Sequence, residues 1–468
     1  MKLFFVLLIL FVAFIGTLLF FFRGYAKSPK ALSNETAPTP PDWIKNAVIY
    51  EIFIRDFTPA GNISSLTQKL LQIKEMGVTV IWLMPIHPIG EIKRKGSVGS
   101  PYSVKDYYEI SPDLGTKADF KIFVQEAHQL GLRVMLDWVG NHTSWDHVLM
   151  KSHPEYYKRD SSGSIIPPMQ DWSDVAALDY SMPELRTYMA EAMLYWVKEF
   201  GIDGYRCDVA EMVPFDFWKT AFESIRAVRS DFCALAEGTT PELHLSGFNI
   251  SYSWNLYEAI KKVFSGKEQP AYFDKLFESE SKLFPKGSLR LRFMTNHDKQ
   301  LEDGTLMEVF HNKDAIKAAG VLVFTVGGAE SIRSVPLFYN GDEVLNARKL
   351  SLFEKAPILW NTALSEEFTN FYKTLATLRK KHPSLSSGKM TRVKTSSDET
   401  VYAFLREEGK DKMVVIINVT NRPFSGFVRL DPEKELHDAF TPERILPTKD
   451  GNLKLNLEEY EFRIFHYR

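Results

Sequence analysis

The chain has 468 residues, 45% hydrophobic and 25% charged, which suits an α/β barrel with a smaller appended module better than one ordinary domain. Its 57 Lys and Arg against 59 Asp and Glu leave a formal charge of −2, which excludes a nucleic-acid polyanion as the main partner. The only cysteines, Cys207 and Cys233, exclude a disulfide framework and read as buried free thiols.

In chain order, the first feature is a run of 20 uncharged residues from Leu3 to Phe22, after the lone Lys2. A helix of ~20 residues spans a bilayer core, and the run exceeds the ~7–15 apolar residues of a signal peptide. Gly24-Tyr25-Ala26 offers small residues suited to cleavage. Residues 1–25 are therefore read as a transmembrane anchor or signal segment, and either implies an extracytoplasmic location. Residues 26–42, rich in Pro, Ser, Thr and Ala, read as a linker with a coil span of roughly 25 Å.

Short apolar runs then alternate with amphipathic stretches. Strands are expected at 47–54, 78–84, 132–139, 203–208, 232–236, 249–254, 291–296 and 335–339, with helices at 66–76, 119–130, 183–200 and 312–323 between several of them. Eight such strands predict a (β/α)8 TIM barrel over 43–385. The gap 140–182 is too long for an ordinary strand-to-helix loop and reads as an inserted subdomain after the third strand. From 386 to 468 the strands VYAFLRE, KMVVIINVT, FSGFVRL and YEFRIFHY follow without intervening helices, which predicts a C-terminal antiparallel β-sandwich domain.

Barrels of this class carry their chemistry where strands end on the C-terminal face. Four predicted strands end in polar clusters. The third gives Asp137, Asn141 and His142, the fourth Arg206 and Asp208, the fifth Glu237, and the seventh Asn296, His297 and Asp298. One such cluster is ordinary helix capping; four converging on one mouth are not. Glycoside hydrolysis needs two carboxyl groups flanking the scissile bond. Strand alternation points Arg206 and Asp208 the same way, and a guanidinium beside a carboxylate favours the ionised form that a nucleophile requires. Glu237, on the adjacent strand, is placed to protonate the leaving oxygen, with its pKa raised by burial and neighbouring charge. His142 and His297 can bond sugar hydroxyls, and Asp298 can grip vicinal hydroxyls.

These segments resemble glycoside hydrolase family 13, the α-amylase family, from about residue 43 to the end. Its four signature regions stand in order as DWVGNH (137–142), GYRCDV (204–209), EG (237–238) and TNHD (295–298). VIYEIFIRDF (48–57), VIWLMPIHP (80–88), SPYSVKDYY (100–108) and PLFYNGDE (336–343) add to the match. The resemblance implies a retaining mechanism on α-linked glucans or maltooligosaccharides, with Asp208 as nucleophile, Glu237 as acid/base and Asp298 as transition-state stabiliser. It implies that Tyr102 stacks on the sugar being cleaved, that Arg206, His142 and His297 bind it, and that Asp137 is structural.

Departures from the family pattern bear on specificity. Typical α-amylases carry a Lys-His pair soon after the nucleophile, and the histidine position helps hold a structural calcium; here those positions are Glu211 and Met212. Hard cations want several oxygen ligands, and neither this place nor the loop Asp56 to Ser64 supplies an evident set, so no essential metal or other cofactor is expected, although Asn141 is kept. Val209, directly after the nucleophile, resembles members that act on α-1,6 bonds or on both bond types. Two other readings compete. A glucanotransferase or trehalose synthase-like enzyme would use the same intermediate with a sugar acceptor. A non-catalytic partner protein, like the heavy chains of amino-acid transporters, would follow a membrane segment but has no need of the three carboxylates retained here.

Overall fold

The computed structural model describes residues 31–328, 332–431 and 434–467. The apolar run of 1–25 lies outside the described residues; among those described, no helix is long and apolar enough to cross a membrane.

In chain order the first strands are β1 (Ile49–Ile52), β2 (Val80–Leu83), β3 (Arg133–Trp138), β4 (His142–Ser144), β5 (Val175–Ala177), β6 (Gly204–Cys207), β7 (Cys233–Ala236), β8 (Ile250–Tyr252), β9 (Leu289–Arg292) and β10 (Arg333–Tyr339). Eight of them form a closed parallel barrel, in the order β1-β10-β9-β8-β7-β6-β3-β2. Closure joins Ile49 to Leu337. Period-2 alternation divides each strand between two cores. Ile49, Val80, Trp82, Met135, Leu235, Tyr252 and Leu291 fill the barrel interior. Tyr50, Ile81, Val134, Leu136 and Tyr205 face the surrounding helices.

The helices are bounded by chemistry legible in the chain. Lys117–Gln129 opens on a capping box of Thr116 and Asp119. Pro183–Phe200 starts with proline and stops at Gly201, whose φ of 69° is a left-handed cap that favours glycine. The helix expected at 66–76 is instead two short ones, Ile63–Thr67 and Leu70–Glu75. Thr67 bonds its hydroxyl back to the Ile63 carbonyl (2.8 Å), an interaction that loosens a helical turn.

The seventh barrel strand, expected at 291–296, falls at 289–292. The reason is ionic. Arg290 and Arg292 alternate with Leu289 and Leu291 and turn outward, where both meet Glu280 of the helix Ala271–Leu283. A buried ion triad thus stands where apolar packing was expected, and residues 293–296 are freed to form the mouth.

Between β3 and β6 the chain makes an excursion in which β4 and β5 pair as an antiparallel ribbon. After the barrel come β11 (Lys389–Val393), β12 (Val401–Glu408), β13 (Asp411–Asn418), β14 (Phe424–Arg429), β15 (Leu436–Asp438), β16 (Arg444–Ile445), β17 (Asn452–Leu457) and β18 (Phe462–Tyr467). They form a six-stranded sheet, β11-β12-β13-β18-β15-β16, and a two-stranded one, β14-β17. Val401, Val414, Ile416, Phe424, Val428 and Leu453 build one apolar core between the two sheets, the sandwich arrangement. This module grips the barrel through Arg406, whose buried guanidinium donates to the carbonyls of Thr325 and Gly388.

Of the stretch 26–42, residues 31–42 are described. The Leu32 and Ala37 amides donate to the Leu283 and Lys286 carbonyls (both 2.9 Å), and Leu32 is buried. Leu283 and Lys286 precede β9, so this part of the chain is strapped to the N-terminal face of the barrel rather than spanning a gap as free coil.

Candidate active site

Sheet register makes the first placement. β3 and β6 pair with Asp137 opposite Arg206, so a carboxylate meets a guanidinium inside the barrel mouth. Arg206 is completely buried. Its Nη1 donates to Asp137 Oδ1 (2.9 Å) and to Asp208 Oδ1 (3.0 Å). Its Nη2 lies in ion contact with Glu237 Oε2 at 2.8 Å. Nε donates to the Tyr252 hydroxyl (3.3 Å), and the rings of Trp82, Tyr102 and Tyr252 flank the guanidinium.

The loops are stitched to the strand ends. The Asp208 amide donates to the Trp138 carbonyl (2.9 Å), and the Glu237 amide to the Cys207 carbonyl (3.0 Å). Between them Val209 takes a left-handed backbone, φ 36° and ψ 50°, and its N–H donates to Glu237 Oε2 (2.7 Å). Both protein contacts of the Glu237 carboxyl thus fall on Oε2.

After β9, Asn296 caps the helix His297–Asp303 by accepting from the Lys299 amide (2.8 Å). That cap sets His297 and Asp298 at the rim. His297 Nδ1 meets Glu51 of β1, while Nε2 faces Asp298 Oδ1 (3.2 Å) and the Tyr102 hydroxyl (2.8 Å). Tyr102 in turn donates to Asp137 Oδ2 (3.1 Å). His142, at the start of β4, has Nε2 at 4.0 Å from Asp208 Oδ2. The Asn141 amide stands 3.3 Å from its Nδ1, and Trp172 of the excursion packs edge-on against the ring.

All seven residues expected at the site, Tyr102, His142, Arg206, Asp208, Glu237, His297 and Asp298, therefore come together, with Asp137 beneath them. Their electrostatics are less simple than the strand pattern suggests. Burial and the neighbouring Glu237 push the Asp208 carboxyl well above its usual range, against the pull of Arg206. Burial also raises Glu237, with Asp298 adding to the rise and Arg206 opposing it. One guanidinium divided among three carboxyl groups does not offset the burial of Asp208 and Glu237, and both carboxyl groups are raised. Burial pushes Asp298 up, but His297 outweighs it and leaves the group below its usual range. Burial lowers His142 to about 4, so its imidazole is neutral.

Two residues of the site are absent from the sequence reading: Glu51 and Tyr252, both fully buried. The signal for Glu51 was a lone carboxylate inside the apolar run AVIYEIFI. Cys207 and Cys233 are free and buried.

The polar side chains after the nucleophile and in the Asp56 loop make bonds within the protein. Glu211 already accepts the Thr239 and Thr240 amides (2.6 Å each), and Asn141 is turned to His142. Asp56 accepts the Ala356 amide (2.7 Å), and burial raises its carboxyl to about 6. Among the described residues, no group of three or more His, Cys, Asp or Glu side chains is arranged to hold a metal.

With the geometry in place, comparison with known proteins is direct. A family model described as "Alpha amylase, catalytic domain" matches residues 34–172 and 169–357. A noncanonic maltogenic α-amylase from Thermotoga neapolitana superposes with a TM-score of 0.82 at 32% identity, covering 91% of this chain and 99% of that one. An α-amylase from Lactobacillus plantarum does so with a TM-score of 0.80 at 30% identity, over 91% of this chain and all of the other. Alpha-amylase 2 of Dictyoglomus thermophilum is 26% identical over 429 residues, 84% of this chain and 72% of that protein.

Proposed function

Because the chain belongs to the α-amylase family and is a retaining glycoside hydrolase of that type, we propose that Asp208 is its nucleophile, Glu237 its acid/base and Asp298 the group that grips the sugar in the transition state. The observation that carries this reading is the Arg206 guanidinium, which holds Asp208 on one terminal nitrogen and Glu237 on the other.

The steps follow from these proposed roles. Asp208 attacks the anomeric carbon while the glycosidic C–O bond breaks. Glu237, whose carboxyl burial raises, delivers its proton to the leaving oxygen. Arg206 and the Val209 amide occupy Oε2, so Oε1 is the oxygen turned to substrate. Once the leaving group has gone, water attacks the anomeric carbon, its proton goes to Glu237, and the ester C–O bond breaks to free Asp208 as carboxylate. Asp298, kept ionised by His297, stabilises the positive charge on the sugar and is placed to accept bonds from its hydroxyls. Neutral His142 and the phenol of Tyr102 complete the subsite.

The substrates proposed are starch-derived glucans or maltooligosaccharides, with α-1,4 bonds cleaved and α-1,6 bonds also accepted. The similar proteins named maltogenic α-amylase and α-amylase support the first, and Val209 after the nucleophile supports the second. Incubating the full chain with maltooligosaccharides, panose, pullulan and soluble starch, and separating products by size, tests this. Products shorter than the substrate are expected, reduced roughly 10³-fold or more in Asp208→Asn, which keeps the fold but removes the attacking charge. Products longer than the substrate would move the reading to a transferase. No reaction on any of these sugars by the folded wild type would overturn it.

The proposed location is extracytoplasmic, by anchor or by secretion, on the strength of the uncharged run Leu3 to Phe22. Strapping of Leu32 to Ala37 on the face opposite the mouth fits an anchored form whose cleft points away from the bilayer. The mass of the mature protein in the membrane and soluble fractions distinguishes anchor from cleaved signal; an intact chain found only in the cytoplasm would defeat both.

A further inference from the structure

Five carboxyl groups, Glu51, Asp137, Asp208, Glu237 and Asp298, crowd the mouth around the single guanidinium of Arg206. One guanidinium leaves much of that charge unbalanced, although Asp208 and Glu237 are largely buried and Asp298 reaches the rim. Lys299 acts on Asp298 from farther off, and the group in direct contact with both Glu51 and Asp298 is His297.

Both ring nitrogens of His297 face acceptors. Nδ1 meets a carboxylate oxygen of Glu51. Nε2 meets Asp298 Oδ1 and the oxygen of Tyr102, whose own proton is committed to Asp137. A neutral imidazole carries one proton and would leave one nitrogen pointing its lone pair at a carboxylate. Donation from both nitrogens satisfies every partner. Glu51 is fully buried at the base of this chain, and its other oxygen, Oε2, has no partner. Burial raises the Glu51 carboxyl, and His297, which it touches, pulls it back toward the ionised form.

We propose that Glu51 is a positioning residue that keeps His297 doubly protonated, so that a fixed imidazolium holds Asp298 ionised beside the reacting carboxyl pair. This rests on the reading of Asp298 as the group that grips the sugar. The remaining titratable neighbours are consistent with it. Asp298 on the same helix, Asp137 from β3 and Glu237 from β7 favour the cation, and Arg206 from β6 opposes it. Around Glu51 stand Tyr252 from β8, Tyr339 from β10 and Asp342 beyond it, and Arg206 from β6 also favours its ionised form. Burial works against the charge on His297, yet Asp298 and Glu51 hold its pKa well above 6.5.

Glu51→Gln isolates the effect, because it keeps the size and the acceptor for Nδ1 but removes the charge. Imidazole 1H–15N spectra of the full chain labelled at histidine, with His297 assigned from its loss in His297→Gln, read the protonation state without turnover. The wild type is expected to show both His297 nitrogens protonated at pH 7 and above. Glu51→Gln is expected to lose one of those protons at least one pH unit lower. Its kcat/KM should fall roughly tenfold or more through kcat, with the alkaline limb of the pH profile moved down. A neutral His297 in the wild type at pH 7 would overturn the proposal even if the variant failed to fold. An unchanged spectrum and pH profile in Glu51→Gln would overturn it as well. Inactivity of the wild type on glucans, with the imidazolium present, would instead strike the functional reading alone.

Discussion

Val209 bends its backbone into the left-handed region at φ 36°, where a β-branched side chain crowds its own carbonyl. Such strain costs on the order of 1–3 kcal/mol and persists only where the surroundings impose it. Here the bend aims the Val209 N–H at Glu237 Oε2. Val209→Gly keeps that N–H and removes the Cβ conflict, while adding backbone freedom to the unfolded chain. A net gain of about 1 kcal/mol is expected in urea unfolding, with kcat within a few-fold of wild type. A loss of stability would mean that Val209 packing, not its backbone, dominates. At this scale the motif residues were legible because their spacing on strands fixes their direction: Arg206 and Asp208 are two apart, and Asp137 is opposite by register. Glu51 was legible only in part. Parity with Ile49 places it on the inner face, but nothing local says that its partner lies 246 residues away. Tyr252 offered no signal at all, since a tyrosine ending an apolar strand reads as core.

At the scale of elements, the junction of β9 with its helix is held by charge. Glu280 accepts from Arg292 Nη1 (2.9 Å) and Arg290 Nε (3.2 Å), all three side chains being buried. Burial pushes the Glu280 carboxyl up, but Arg292 and Arg290 outweigh it and bring it from 4.5 to about 2. The folded value is the depressed one. The stabilisation is therefore present above pH 4.5 and lost as pH falls toward 2. Glu280→Gln leaves two buried guanidinium groups without a counter-charge, and a loss of about 3–5 kcal/mol is expected at pH 7. The difference from wild type should shrink between pH 4.5 and 3; the same loss at both pH values would mean that shape, not charge, is what Glu280 supplies. This triad is also why the seventh strand was misplaced in the sequence. Arginines at 290 and 292 interrupt the apolar run, so pattern reading slides to the next apolar stretch, 293–294. The helix pair at 63–75 failed for a different reason: one amphipathic stripe continues across the break, and periodicity does not see the Thr67 bond that opens it.

For the whole molecule, the alternation of strands and helices made the eight-fold barrel countable, and the loss of helices after 386 marked the antiparallel sheets. The strands β11 and β15 to β17 escaped because each is short and mixes polar with apolar residues, too few for an alternation to register. The same reading predicts independence from calcium. Glu211 and Asp56 each hold backbone amides through one carboxylate oxygen, a role that needs no cation. Removing divalent ions with a chelator is expected to leave both the unfolding temperature and starch hydrolysis unchanged; a drop in either that calcium restores would refute this.

Closure of the barrel has a consequence in time. β1 has no partner on one side until β10 exists, almost 300 residues later. At translation rates of ~5–20 residues per second, the wait is on the order of 15–60 s. For that interval the chain carries two unpaired strand edges and an unfilled interior lined by Ile49, Val80 and Trp82. A chain of this design is born adhesive, and its survival depends on whatever shelters it between the synthesis of its first strand and its eighth.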